Sequence, residues 1–294
     1  MNINKWLNQS ITFLNEAGIE TARLDAELIL SKSLECDRSW LHAHGDDDLE
    51  QLLLVKGLSY RTLDEAVIRR SKHEPLAYIL GNKEFFGRSF IVDSDVLVPR
   101  PESETMIELF LDHLKERTFK VENLKIVDVG TGSGNLIITV ALELSLALKP
   151  QSSIKFLGLD ISDNALEVAR KNAKNLGANV EFKHFDLMSS ELSSHFSLPS
   201  STFVILANLP YVPDNFSVND DARFEPKTAL FSGVDGLNHY RKLFKQLSKI
   251  TNFSLEITVL TEALLFQHEE LERIANSAGF KVTKEKDLIQ VFSK

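Results

Sequence analysis

Ile126-Val127-Asp128-Val129-Gly130-Thr131-Gly132-Ser133-Gly134 is the stretch on which the fold turns. Its first four residues form a short β-branched run interrupted by one carboxylate, which reads as a buried strand. Three glycines follow within five residues, and the apolar positions of 135–147 then recur at helical spacing. Glycine there lets the backbone turn tightly and approach a ligand, while the helix N-terminus offers amide N–H groups without intrahelical partners. A nucleotide-like ligand is implied. A dinucleotide fingerprint of the form G-x-G-x-x-G would place glycine at 135, but the residue is Asn135.

Outward from this stretch, strand and helix patterns alternate. Strands are expected at 125–129, 155–159, 180–184, 203–207 and 253–259, and helices at 103–116, 135–147, 163–176, 237–249 and 261–277. Such alternation predicts βαβ crossovers and a mostly parallel sheet covered on both faces. Phe280-Lys281-Val282 and Leu288 to Phe292 read as a closing hairpin, and the serine-rich segment from Ser189 to Thr202 as a loop. The fold class is therefore α/β and Rossmann-like over 101–294.

Residues 1–75 read differently. Ile3, Leu7, Ile11 and Leu14, then Leu24, Leu28 and Leu34, then Leu52, Val55, Leu63 and Val67 recur at helical spacing and predict a small helical bundle. Gly18 and Gly45 are natural stops, and Asp46-Asp47-Asp48 puts negative charge where the next helix begins. Between 76 and 100 the runs Phe85-Phe86-Gly87, Phe90-Ile91-Val92 and Val96-Leu97-Val98 predict a β-hairpin linker, closed by the rigid Pro99-Arg100-Pro101.

Composition narrows the function. At 294 residues, with 43% hydrophobic and 26% charged side chains, the chain can form a sizeable core across two domains. A formal charge of −9 argues against a broad nucleic-acid footprint. The single cysteine, Cys36, excludes an internal disulfide framework, and no Cys/His cluster has metal-ligand spacing. Neither a leader-like apolar run near Lys5 and Trp6 nor a stretch of about 18 apolar residues occurs, so a cytoplasmic protein, off the membrane, is expected.

Four strand ends carry polar residues. The loop Gly130 to Gly134 is one, with Thr131, Gly132 and Ser133 between its outer glycines. Asp160 ends Phe156-Leu157-Gly158-Leu159, where a carboxylate can take hydrogen bonds from both ribose hydroxyls. Asp186 and Leu187 end the third strand and can meet an adenine amino group and ring. Asn208-Leu209-Pro210-Tyr211 ends the fourth: a side-chain amide, a peptide carbonyl and an aromatic ring that can grip a planar –NH2 group, with Tyr211 covering its face. The G-x-G-x-G loop with Asp128 just ahead resembles motif I of S-adenosylmethionine-dependent methyltransferases, which implies S-adenosylmethionine as cofactor and a class I, seven-stranded methyltransferase domain.

Ala77-Tyr78-Ile79-Leu80-Gly81, Phe85-Phe86-Gly87 and Val96-Leu97-Val98-Pro99-Arg100-Pro101-Glu102-Ser103-Glu104-Thr105 resemble the release factor glutamine N5-methyltransferases (the PrmC/HemK family). So do Glu225-Pro226, Ala229-Leu230-Phe231 and Gly233 to Arg241. The resemblance implies methylation of the glutamine side-chain amide in the Gly-Gly-Gln loop of class 1 peptide chain release factors, with a helical substrate-recognition domain in front. It assigns the cofactor to Gly130, Thr131, Gly132, Ser133, Gly134, Asp160, Leu187 and Asn208, to which the strand-end reading adds Asp186. It assigns the substrate to Asn208, Leu209, Pro210 and Tyr211; Asn208 and Tyr211 are expected to be catalytic, and a monomer is expected. Arg100 and Glu102 can either shape the acceptor pocket or lock the linker. The family usually has proline where Leu209 stands, and usually continues Leu255-Glu256-Ile257 with glycine rather than Thr258. rRNA adenine dimethyltransferases also use Asn-Leu-Pro-Tyr, so an RNA adenine N6-methyltransferase is the rival enzyme; a non-catalytic adaptor is the rival from another class. The leading helical domain and the acidic balance favour glutamine.

Overall fold

The computed structural model describes residues 1–116, 124–147, 154–188, 202–249 and 256–294. Of the loop expected from Ser189 to Thr202, residues 189–201 lie outside them, as do the first residues of the strand expected at 253–259, while Thr202 opens a strand. The described chain divides into two units, Met1–Asn82 with Val218–Phe224, and Lys83–Ser217 with Glu225–Lys294.

The first unit is helical: α1 (Ile3–Glu16), α2 (Ala22–Leu34), α3 (Arg38–Ala43), α4 (Leu49–Val55), α5 (Tyr60–Ser71) and α6 (Leu76–Leu80). Asn2 and Asp37 cap α1 and α3 by accepting from the amides of Lys5 and Trp40, and Asp48, last of the acidic triplet, does so for α4 from Glu50. Ile3, Trp6, Leu14, Leu30, Leu41, Leu49, Leu53 and Leu63 form the core. Helix α2 turns a different face inward from the one expected. Ala22, Ala26, Ile29 and Leu30 are buried, whereas Leu24 is exposed. The phase is set by two buried acids on the same helix, Asp25 bonded to Arg70 at 2.6 Å and Glu27 to Arg38 at 2.5 Å. Arg70 also pairs with Asp221 at 3.0 Å, which ties the segment Val218–Phe224 into this unit.

The expected linker of 76–100 divides. Pro75 stands at the N-cap of α6 with φ −52°, and Leu76, Ile79 and Leu80 pack on the helical core, so the helical unit runs to Asn82 rather than stopping at 75. The hairpin itself forms, as β1 (Asn82–Phe85) and β2 (Arg88–Ile91). Phe86 and Gly87 both take positive φ, 50° and 70°, the geometry of a type I′ turn. Val96 to Val98 is not a strand; it leads into a short 3₁₀ turn at Pro101–Ser103.

The second unit is an α/β domain: α7 (Glu104–Glu116), β3 (Leu124–Val129), α8 (Asn135–Ala147), β4 (Lys155–Asp160), α9 (Asp163–Leu176), β5 (Glu181–His184), β6 (Thr202–Ala207), α10 (Lys227–Leu230), α11 (Asn238–Leu247), β7 (Glu256–Glu262), α12 (His268–Ser277), β8 (Lys281–Lys286) and β9 (Ile289–Ser293). The strands lie in the order β5-β4-β3-β6-β7-β9-β8. The first five run parallel, and β9 pairs antiparallel with both β7 and β8. Val127, Val129, Phe203 and Ile205 enter the core on one face; Ile126, Val204 and Leu206 enter the core on the other. Alternate residues of each central strand are thus buried on opposite sides, which is why these strands read as continuous apolar runs.

Strand β7 ends three residues later than expected, at Glu262. Thr261 and Glu262, expected in a helix, pair with Gln290 and Ile289 of β9, and α12 begins only at His268. Asn172 of α9 clamps the hairpin to the domain: its Oδ1 accepts from Ile91 N–H at 2.7 Å and its Nδ2 donates to the carbonyls of Ile91 and Ser133. Packing against the loop is equally close at Gly158 of β4, where a Cβ would lie 2.6 Å from the Phe182 ring and 3.0 Å from Thr131 Oγ1. Gly158→Val is expected to cost about 1–3 kcal/mol by overpacking, read as a lowered thermal unfolding midpoint.

Candidate active site

The glycine loop is built by backbone hydrogen bonds. The amides of Gly130 and Thr131 both donate to the Leu159 carbonyl at 2.8 Å, and Gly130, Gly132 and Gly134 take φ of 73°, 52° and 80°. These values favour glycine. A Cβ at Gly132 would meet open space, so the loop presents bare backbone outward there; one at Gly134 would lie 2.8 Å from Ile138 Cδ1, so that glycine serves packing of α8.

Asp160 holds the loop from the neighbouring strand. Its Oδ2 accepts from Gly132 N–H and its Oδ1 from Ser162 N–H, each at 2.9 Å. Burial pushes its pKa up, and these N–H bonds oppose the shift. Ser162, rather than Asp163, caps α9 by accepting from Ala165 N–H.

Asp128 lies beneath the loop, buried, and accepts from the Thr131 hydroxyl at 2.6 Å. Burial pushes its carboxyl up to about 7. Since an unfolded Asp titrates near about 4, the folded state holds more protons between those values. The stabilisation is full below about pH 4 and is lost as pH rises through the folded value. Asp128→Asn keeps the shape without the titration, so its unfolding midpoint is expected to fall less between about pH 5 and about pH 8 than that of the unsubstituted protein.

At the third strand end, the Asp186 carboxylate is paired with Lys242, and Gln246 bonds the Asp186 carbonyl and the Met188 amide. Leu187 is buried with φ 56°, an unusual conformation for leucine that turns the chain at the cleft wall. His239, to which the sequence assigns no role, lines the same cleft. Its Nδ1 lies 2.6 Å from Ser232 Oγ, and burial lowers its pKa, so the neutral ring is favoured.

Asn208-Leu209-Pro210-Tyr211 leaves the carboxyl end of β6. Asn208 Nδ2 donates to Ser103 Oγ at 2.9 Å, and Ser103 Oγ donates to Glu262 Oε2 at 2.6 Å. The Tyr211 hydroxyl donates to Glu262 Oε1 at 3.0 Å. Glu262 is fully buried, which pushes its pKa up, while its two hydroxyl donors favour the charged form. The N–H of Leu209, absent in a proline, donates to the Tyr240 hydroxyl at 3.3 Å. That hydroxyl faces the carbonyls of Ala207 and Glu262. Gln267 Nε2 donates to the Tyr211 carbonyl at 2.7 Å.

Every residue assigned to cofactor or substrate, apart from Gly134 and Tyr211, lines one cleft of about 370 Å³. Ser103, Arg100 and His239 line it as well. Tyr211 does not: its ring packs beside the core and its hydroxyl is committed to Glu262, which differs from the expected ring over the acceptor. Arg100 both faces the cleft and fixes its own approach segment, pairing at 2.5 Å with the buried Glu225, which also accepts from Val98 N–H. Glu102 is exposed and outside the cleft lining. Ser103 and Tyr240 lie within family-like stretches that assign them no role, and Glu262 carries no sequence signal, since its pattern predicts a helix.

Residues 5–81 match a family model described as the PrmC N-terminal domain, and residues 120–226 match one described as a methyltransferase domain. The chain is similar to the release factor glutamine methyltransferase of Koribacter versatilis, with 36% identity over 254 residues, covering 84% of this chain and 81% of that one. It is similar over more of its length to those of Bacillus cereus, 31% identical and covering 95% and 92%, and Coxiella burnetii, 33% identical and covering 97% and 93%. Among the described residues no helix is long and apolar enough to cross a membrane.

Proposed function

From the premise that the chain belongs to the release factor glutamine methyltransferase family and is an S-adenosylmethionine-dependent methyltransferase, we propose that it methylates the side-chain amide nitrogen of the glutamine in the Gly-Gly-Gln motif of class 1 peptide chain release factors. The observation that carries this reading is the held amide of Asn208: its Nδ2 is committed to Ser103, while the residue lines the same cleft as the glycine loop and Asp160. When bound, S-adenosylmethionine supplies an electrophilic methyl group. The open backbone at Gly132 and the lone pairs left on Asp160 fit an adenosyl ribose and its flank, and buried Leu187 fits an adenine face. The Asp186 carboxylate is drawn toward Lys242, so its backbone is the better group for the adenine edge.

A carboxamide nitrogen is a poor nucleophile because its lone pair is delocalised into the carbonyl. Asn208 Oδ1 and the Leu209 carbonyl would each accept one hydrogen of the substrate –NH2. Gripping both hydrogens fixes the nitrogen's orientation and favours the geometry in which its lone pair is available. Preorganised acceptors of this kind act through positioning and electrostatics: the N–CH3 bond would form as the donor's S–CH3 bond breaks to leave the thioether, and the nitrogen's surplus proton would pass to water afterwards, with no general base required. Tyr211 contributes indirectly, by holding Glu262 and the chain path after Pro210. The release factor is then the partner, in the cytoplasm, met by a monomer whose helical unit recognises it.

Mass spectrometry of the Gly-Gly-Gln peptide from a release factor treated with this protein and donor is expected to show one added methyl group on glutamine. Leu209 is the observation that favours the second reading, an RNA adenine N6-methyltransferase, since that tetrapeptide spelling is shared with adenine enzymes. Label found in rRNA and absent from the release factor would establish that reading instead.

A further inference from the structure

Asn208 can present either end of its amide to a substrate, and only one end suits an –NH2 group. The two ends are nearly the same size, so packing alone distinguishes them poorly; hydrogen bonding must do it. Deeper in the structure, Glu262 Oε2 lies 2.6 Å from Ser103 Oγ, and Oε1 lies 3.0 Å from the Tyr211 hydroxyl. Glu262 is fully buried and Ser103 nearly so. The Ser103 and Tyr211 hydroxyls each donate to one oxygen of that carboxyl group, so the single Ser103 proton points at Glu262. Ser103 Oγ then has only lone pairs to offer Asn208, and the group it meets at 2.9 Å must be Nδ2. Oδ1 is left on the other side.

We infer that Ser103 and Glu262 are positioning residues that set the Asn208 amide with its nitrogen inward and its oxygen toward the methyl acceptor. This inference rests on the proposed amide methylation. The two residues come from far along the chain, one from the 3₁₀ turn at Pro101–Ser103 and the other from the end of β7, and they converge on the end of β6. Tyr211 completes the arrangement by occupying the second carboxylate oxygen, which keeps Glu262 from rotating away from Ser103. The orientation of the catalytic amide is thus decided by a buried carboxyl group outside the cleft lining.

The test is single-turnover methylation of a purified class 1 release factor at saturating donor, by the unsubstituted enzyme and by Ser103→Ala and Ser103→Thr. Calorimetric affinity for S-adenosylhomocysteine and the thermal midpoint are measured in parallel. Ser103→Ala frees the amide to flip, and transfer is expected to fall at least about tenfold, equivalent to about 1.4 kcal/mol of barrier, with product-analogue affinity within about threefold. Ser103→Thr keeps a β-hydroxyl at the same place and is expected to recover most of the loss. Unimpaired transfer by Ser103→Ala, failure of Ser103→Thr to exceed it, or a loss that tracks analogue affinity or the thermal midpoint would each overturn the positioning role. No transfer by the unsubstituted enzyme would instead overturn the proposed substrate, and the relay with it.

Discussion

Asn208→Ala is expected to lower the single-turnover rate of methyl transfer by about 10² to 10³, the range found when one preorganised polar contact to a reacting centre is removed. Donor affinity should change far less, because the loop from Gly130 to Gly134 and Asp160 remain. The substitution removes an acceptor for one –NH2 hydrogen and also leaves Ser103 Oγ without its Nδ2 donor. Asn208→Asp gives a sharper comparison. It keeps an oxygen facing the cleft but replaces Nδ2 with a second acceptor, placed 2.9 Å from a Ser103 hydroxyl whose proton is already given to Glu262. The aspartate should therefore be as slow as the alanine despite retaining the oxygen. Rapid-quench transfer with labelled donor checks both. A rate for Asn208→Ala within about threefold of the unsubstituted enzyme would show that the acceptor is gripped elsewhere.

The parts of this architecture that announce themselves in sequence are those whose physics is local. Helix α8 begins, and α9 begins and ends, where apolar spacing and a neighbouring glycine place them, and β3, β4 and β6 as described differ from expectation by a residue. A buried parallel strand is an unbroken apolar run, and a loop needing positive φ is written in glycine. The inward face of α2 was not legible, because Asp25 and Glu27 read as solvent-facing charges until Arg70 and Arg38 are brought to them. The same holds for Glu262. A carboxylate after Thr261 suggests a helix start, and only the antiparallel pairing with Ile289, together with the hydroxyls of Ser103 and Tyr211, accounts for a buried acid at that point.

Tyr211 shows how a residue can be found for a reason that the structure then alters. Its place after Asn208 suggested a ring stacked on the acceptor, yet its hydroxyl reaches Glu262 and its ring packs beside the core. Burial and the neighbouring Glu262 charge both raise its phenol pKa, so it remains a donor throughout the working range. Leu209 is the converse. It departs from the usual family spelling, and the amide hydrogen that the change restores has a partner in Tyr240. A buried N–H left unpaired would cost about 1–3 kcal/mol, and that cost is avoided here.

Asp160→Ala is expected to weaken binding of S-adenosylmethionine and of S-adenosylhomocysteine by at least about a hundredfold. A carboxylate that accepts from both ribose hydroxyls makes two charge-assisted hydrogen bonds, each contributing about 1.5–3 kcal/mol, so losing the pair costs about 3–6 kcal/mol. The same substitution removes the acceptor that holds Gly132 N–H at 2.9 Å, which loosens the backbone where the loop faces open space. Asp160→Asn separates the two effects. Its remaining carbonyl oxygen can still accept from Gly132 or Ser162, while its –NH2 cannot accept from a ribose hydroxyl. The asparagine variant should therefore keep most of the stability lost by the alanine variant, yet bind the donor only slightly better. Calorimetric titration with S-adenosylhomocysteine and thermal unfolding of the ligand-free proteins read the two consequences independently. If Asp160→Ala bound the product analogue within about threefold of the unsubstituted protein, this carboxylate would be a brace for the glycine loop and the ribose would be held by another group.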